Sequence, residues 1–229
     1  MFTYKRIIDI SQPVRESSAT FPGDTAFKRD IVLTHADSKV VNLTAFTMSP
    51  HVGTHVDAPA HIKGSMDAET ELVGALPLHA FVGACLVLDL SPTTAGISWK
   101  MVQAKISSLP HLTERILFKT QTRIRYDVFE EDYAYFETDL VKELSSRGVK
   151  LMGIDAPSAD HVRSKTLDAH HELDRLKMSW LENLDLTHVS EGEYFLVALP
   201  LKFMELEASP VRAVLLDPGG EGISPSSRH

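Results

Sequence analysis

A chain of 229 residues fits one large domain or two small ones, with 43% hydrophobic residues to build a core and 24% charged residues, as in an ordinary globular protein. The net charge of −8 at pH 7 argues against nucleic acid and anionic membrane surfaces as partners, since both favour basic patches. Cys85 is the single cysteine, which excludes an internal disulfide, and no apolar run approaches the roughly 18 residues of a membrane-spanning helix.

The N-terminal residues lead directly into an alternating segment, without the separate apolar core of a secretory signal, so a cytoplasmic location is expected. Residues 6–10 read as a short strand. Pro13 and Phe21-Pro22-Gly23-Asp24 then mark a loop and a turn. Residues 27–34 and 40–48 are strand-like, the second with an imperfect period of two, and Ser49-Pro50 ends it. Residues 83–90 form a strongly apolar strand candidate, with Cys85 as a small buried hydrophobe. Ser98 is a plausible N-cap for a helix over residues 99–107.

Residues 116–120 read as a further strand. A helix is expected over residues 139–147, capped by Thr138, stapled by Phe136 and closed by Gly148. Residues 150–154 form a strand that runs into Asp155-Ala156-Pro157-Ser158, the kind of strand ending that often carries chemistry. Residues 169–181 have helical composition, Leu184 could open a short strand, and residues 194–199 and 211–216 are late strands. Strands outnumber helices, so the fold class is α/β with a mixed, largely antiparallel sheet. Residues 1–216 are read as the domain, and the Gly-, Ser- and Pro-rich residues 217–229 as a loose tail.

One stretch stands apart. His51-Val52-Gly53-Thr54-His55-Val56-Asp57-Ala58-Pro59-Ala60-His61 holds three of the chain's 11 histidines and a carboxylate. Any one of these histidines alone is more often a packing or surface residue. Four titratable groups crowded together are hard to explain as packing. Imidazole and carboxylate together suit Zn²⁺, and also Mn²⁺, Fe²⁺ or Co²⁺. Gly53 and Pro59 argue against a continuous helix and favour a strand end and loop with a short helical turn. The run is not a zincin helix, since no glutamate follows His51 or His55. Further ligands are expected from the second half, where spacing leaves Asp155, Asp160, His161, Asp168, His170, His171, Glu172 and Glu182 all open.

With these motifs in view, the chain resembles the bacterial kynurenine formamidases (arylformamidases), within the cyclase-like metal-dependent hydrolases. Ile8-Asp9-Ile10-Ser11-Gln12-Pro13 resembles the family's opening strand, and residues 51–61 match its His-x-Gly-Thr/Ala-His-x-Asp-x-Pro-x-His signature in full. Gly153-Ile154-Asp155-Ala156-Pro157-Ser158, the segment from Ser164 through His170-His171, Trp180-Leu181-Glu182-Asn183, Ala198-Leu199-Pro200-Leu201 and Ser209-Pro210-Val211-Arg212-Ala213 are also similar. The resemblance implies a swivelling β/β/α-type single domain, a homodimer, and two metal ions per subunit, usually zinc with manganese or another divalent ion as alternatives. It implies that His51, His55 and Asp57 hold one ion. Asp57 would bridge to a second ion completed by His170 and Glu182, with His61 as the acid/base residue. Twelve residues separate His170 from Glu182, about 120° apart on a straight helix, so Glu182 is expected at or past the helix end.

Phe21 stands where the family usually has tryptophan, in Phe21-Pro22-Gly23-Asp24-Thr25. A substrate-stacking face is kept there, while the indole N–H is lost. The expected reaction is hydrolysis of an aryl formamide, N-formyl-L-kynurenine, to L-kynurenine and formate in tryptophan catabolism. The nearest alternative is a related amidohydrolase acting on isatin or another aryl amide. An alternative of another class is a non-catalytic structural metal-binding protein, which predicts a closed ligand sphere.

Overall fold

The computed structural model describes residues 3–63 and 66–219. Its elements, in chain order, are β1 (Arg6–Asp9), β2 (Lys28–Leu33), α1 (His35–Ser38), β3 (Leu43–Thr47), β4 (His55–Asp57), β5 (Val82–Asp89), β6 (Gly96–Ile97), α2 (Trp99–Ser107), β7 (Arg115–Lys119), β8 (Tyr135–Phe136), α3 (Thr138–Ser146), β9 (Leu151–Ile154), α4 (Asp168–Arg175), β10 (Ser179–Glu182), β11 (Gly192–Val197), β12 (Ala208–Pro210) and β13 (Val214–Asp217).

Among the described residues, nine strands form one curled sheet in the order β1-β13-β11-β5-β7-β9-β10-β4-β12. The middle pairings β5–β7, β7–β9 and β9–β10 are parallel. The five outer ones, β1–β13, β13–β11, β11–β5, β10–β4 and β4–β12, are antiparallel. The sheet is therefore mixed and largely antiparallel, as expected. Its parallel centre is buried on both faces, which explains the near-continuous apolar runs in β5, β7 and β9.

Alternation along these strands divides two cores. Leu86, Leu88, Ile116, Phe118, Met152, Ile154 and Trp180 face one side, where α2, α3 and α4 cover them. In α3 the covering stripe is Leu140, Val141 and Leu144, each burial contributing about 1.5–3 kcal/mol. Cys85, Val87, Leu117, Leu151 and Leu181 face the other side and meet Ile8, Ile10, Val56, Leu196 and Leu215 from the curled outer strands. An isolated bridge between Ser11 and Leu184, and a bond from Asp185 N–H to the Ile10 carbonyl, tie the chain after β1 to the chain after β10. This is where the strand expected at Leu184 is reduced to a single bridge.

One expected helix is shorter than its composition. The helical reading of residues 169–181 holds only for α4, which ends at Arg175. Lys177 takes a left-handed conformation at φ 54°, and residues 179–182 become β10, paired in parallel with β9. A buried slot beside β9 overrides the helix propensity of Leu176, Met178 and Leu181. The helix expected over residues 139–147 starts one residue earlier, with Glu137 rather than Thr138 at its N-cap and Gly148 turning the chain at φ 90°. The late strand expected at residues 211–216 begins at Val214 and takes in Asp217, so Asp217 belongs to the sheet. Residues 220–229 of the expected tail lie outside the described residues.

Candidate metal centre

The loop after β3 and β4 itself position the first candidate ligands. Gly53 sits at φ 72°, and a Cβ there would come within 2.7 Å of Val14 Cγ2, so the turn between His51 and His55 needs glycine. Thr54 locks the turn: its hydroxyl donates to the Asn183 carbonyl at 2.6 Å and accepts the Gln12 N–H at 2.8 Å. His55 and Asp57 lie on β4 with one residue between them, pointing to the same face. Pro59–His61 forms a single 3₁₀ turn that brings His61 back, its ring centroid 4.4 Å from that of His51. The strand end, loop and short turn expected from the sequence are all present.

The second half supplies the opposite wall. Glu182 ends β10, past the helix, and pairs in register with His55. His170 lies on the buried face of α4, while its neighbour His171 is exposed. His170 Nε2 stands 3.2 Å from Glu182 Oε1 and 3.5 Å from Asp57 Oδ2. His55 Nε2 stands 3.3 Å from both Asp57 Oδ1 and Glu182 Oε2. His51 Nδ1 is 3.0 Å from Asp57 Oδ1. Asp57 thus turns one oxygen toward His51 and His55 and the other toward His170.

Among the described residues, two groups have possible ligand atoms within 4.8 Å of one another: His55, Asp57 and Glu182; and His51, Asp57 and His61. Asp57 belongs to both.

This donor set fits divalent cations. His55 Nε2 and Asp57 Oδ1 are buried without an aligned hydrogen-bond partner, although each has charged neighbours near 3 Å. Orphaned buried polar atoms are rare, and a cation satisfies both at once. The other ring nitrogens are already engaged. His55 Nδ1 lies 2.9 Å from the Gly53 carbonyl, and His170 Nδ1 lies 2.6 Å from Asp160 Oδ2. Each contact leaves Nε2 as the free donor. Asp160 is fixed in turn by the N–H groups of Ala169 and His170 at 3.0 Å. Trp180 Nε1–H donates to Asp57 Oδ2 at 3.0 Å, and Ala159 N–H to Glu182 Oε1 at 2.7 Å.

Charge pairing sets the protonation. Burial alone would lower the pKa of His55, but Asp57 and Glu182 outweigh it and raise it to about 10. The same contest, with Asp57 and Glu207 as partners, raises His51 to about 9. Burial works to raise Asp57, yet the surrounding histidines hold it well below the usual carboxylate range. His61 differs. Desolvation dominates there and lowers its pKa, so its imidazole is neutral at neutral pH.

The remaining sequence candidates go elsewhere. Asp155 accepts from the N–H and hydroxyl of Thr120 and from the Gln121 N–H, and burial still pushes its pKa up to about 6. His161 stacks on Tyr133. Asp168 is exposed at the start of α4, and Glu172 pairs with Arg175 at 2.5 Å. Two participants were not anticipated. Trp180 is one, and Glu207, 3.4 Å from His51 Nε2, is the other.

A cavity of about 430 Å³ opens onto the cluster. His51, His55, His61, His170 and Glu182 line its floor. Phe21 stands on its wall, held by a type II turn in which Gly23 takes φ 93° and Asp24 N–H donates to the Phe21 carbonyl. Phe21 packs edge-on against Phe129 at 5.2 Å, and Tyr133 continues the aromatic wall. A bond from Ala19 N–H to the Tyr126 carbonyl joins the two wall loops.

The chain is similar to known proteins over most of its length. The Cyclase family model matches residues 8–161. The chain is 40% identical to the kynurenine formamidase of Paracidovorax citrulli over 219 residues, covering 95% of this chain and 100% of that one. It is 40% identical to the kynurenine formamidase of Delftia acidovorans over 211 residues, covering 92% and 97%. A solved structure described as a potential metal-dependent hydrolase with cyclase activity is similar at 28% identity and a TM-score of 0.74, over 93% of this chain and 98% of that one. Isatin hydrolase A from Labrenzia aggregata shares the fold at 20% identity and a TM-score of 0.80, over 93% and 94%. The chain belongs to the Cyclase family and, within it, to the kynurenine formamidase family.

Proposed function

We propose that this protein is an arylformamidase that hydrolyses N-formyl-L-kynurenine to L-kynurenine and formate in tryptophan catabolism. The observation that carries the reading is the buried, partly orphaned cluster of three histidines and two carboxylates at the floor of an aromatic-walled cavity. The relatives named kynurenine formamidase support the choice of substrate. The open cavity speaks against the rival reading of a closed structural metal site.

His51, His55 and Asp57 would hold one ion, and Asp57, His170 and Glu182 a second, with zinc the first choice and manganese an alternative. Bound there, divalent ions supply Lewis acidity to the formyl carbonyl and acidify water. The chain's own residues do the rest. Phe21, Phe129 and Tyr133 hold the aryl ring against the cavity wall. His61, neutral at working pH, takes a proton from the attacking water on a ring nitrogen. Oxygen then bonds to the formyl carbon, the C–N bond breaks, and His61 returns the proton to the aniline nitrogen. The free arylamine leaves, and so does formate once its remaining hydroxyl proton passes to solvent.

The test is metal analysis combined with formate release. The zinc-loaded protein is expected to bind two ions per chain and to release formate from N-formyl-L-kynurenine faster than it opens isatin. One ion per chain with no formate overturns the reading. Preferred opening of isatin moves the substrate to a cyclic aryl amide.

The same proposal includes a cytoplasmic homodimer. Among the described residues no helix is long and apolar enough to cross a membrane. The β2–β3 hairpin stands off the main sheet with all five residues of β3 exposed, and a second copy of the chain is the cover it lacks.

A further inference from the structure

The cavity has a marked charge asymmetry at its mouth. Asp24, Glu130 and Asp132 line it there, above the buried Asp155 and Glu182, whereas Arg125 is the single lysine or arginine among the described residues that line the cavity. Arg125 sits on the wall loop between Gln121 and Tyr133, far more exposed than the floor. Its side chain is 50% exposed, against 1% for His55 and 4% for Glu182. Its ion pair among the described residues is long, with Nη1 3.9 Å from Glu130 Oε1, and Glu130 is itself 48% exposed. A pair that open and that long contributes little and is readily rearranged.

An aryl formamide with an α-amino acid side chain carries a carboxylate that a plain aryl formamide lacks. With the formyl group at the floor and the ring on the aromatic wall, that carboxylate projects toward the mouth. The acidic side chains of Asp24, Glu130 and Asp132 would repel it there. A guanidinium can bind it through two parallel N–H···O bonds. We infer that Arg125 is the specificity-determining residue that captures the substrate's α-carboxylate. The long, open pair with Glu130 leaves the guanidinium free to turn to the substrate. This rests on the arylformamidase reading and adds how the protein separates amino-acid aryl formamides from neutral ones.

The experiment compares N-formyl-L-kynurenine with 2-formamidoacetophenone, which keeps the aryl formamide and ketone but has no amino acid group. Calorimetric titration of the zinc-loaded protein with the products L-kynurenine and 2-aminoacetophenone gives a readout independent of turnover. In Arg125→Ala, KM for N-formyl-L-kynurenine and Kd for L-kynurenine should each rise about tenfold or more, the usual effect of losing a charge-assisted contact, with kcat little changed. Constants for the two neutral compounds should stay within about twofold, and Arg125→Lys should recover part of the loss. Arg125 is half exposed, so its truncation leaves the fold intact. Unchanged constants for the amino acid compounds, or equal losses on both pairs, overturn the role of Arg125. A wild-type protein that releases formate from neither substrate yet binds L-kynurenine in an Arg125-dependent way overturns the reaction and keeps the role. Neither turnover nor binding overturns both.

Discussion

His61 and the metal ligands sit side by side, so the roles proposed for them must be separated by what each substitution leaves intact. His61→Ala is expected to lower turnover by about 10²–10⁴-fold while bound metal stays near wild type. Glu182→Ala is expected to lose metal, the second equivalent above all. Metal analysis beside a formate assay reads both. Joint loss of metal and turnover in His61→Ala would make His61 a ligand of the group it forms with His51 and Asp57. Protonation adds a second expectation. In the metal-free protein the pKa values of His55 and His51, about 10 and about 9, lie above the roughly 6.5 of an unfolded histidine. Between those limits the folded state binds more protons than the unfolded state. The stabilisation is therefore full below about pH 6.5 and is lost as pH rises through about 9 to 10. Chelator-treated protein should melt progressively lower across that interval. Metal binding should release protons and tighten over the same range. A melting temperature that is flat or rises with pH would contradict the charged pairing of these histidines.

At the level of elements, β4 and β10 carry three of the proposed ligands and lean on β9. Gly153 in β9 is the tight point. A Cβ there would lie 2.5 Å from Leu117 Cδ2 and 2.9 Å from Leu184 Cδ1, both on fully buried side chains. Gly153→Ala should therefore destabilise by about 1–3 kcal/mol, read as a melting temperature several degrees lower. An unchanged transition would mean that the strand shifts freely, contrary to its packing. Element boundaries were legible where local chemistry set them. The helix expected over residues 99–107 forms over that span, though Ser98 makes no side-chain cap bond and Asp139 Oδ2 accepts the Trp99 N–H instead. Boundaries failed at residues 176–181, because a buried parallel slot has no local signature and outweighs helix propensity.

At the scale of the whole molecule, the β2–β3 hairpin gives the assembly a test. Ile31 and Phe46 share one face of it, 59% and 64% exposed. The double substitution Ile31→Asp with Phe46→Asp should convert a sedimenting dimer to a monomer without lowering the melting transition of the main sheet. A wild-type protein that already sediments as a monomer removes the dimer from the proposal.

The sequence by itself determined the loop from His51 to His61, because all four groups lie within eleven residues and Gly53 and Pro59 fix the path between them. Local spacing also placed the Phe21 turn and most strands. It did not choose between His170 and His171, or among the acidic candidates after Asp155. Those choices depend on which face of α4 is buried, and on a strand pairing that sets Glu182 beside His55. Nor could it find Trp180, whose N–H reaches Asp57 across 123 residues of chain, or mark Arg125 as the single lysine or arginine among the described residues that line the cavity. Contacts of that length are fixed only when the curled sheet closes, since a sequence records each ligand's chemistry but not the distance at which folding leaves it from the others.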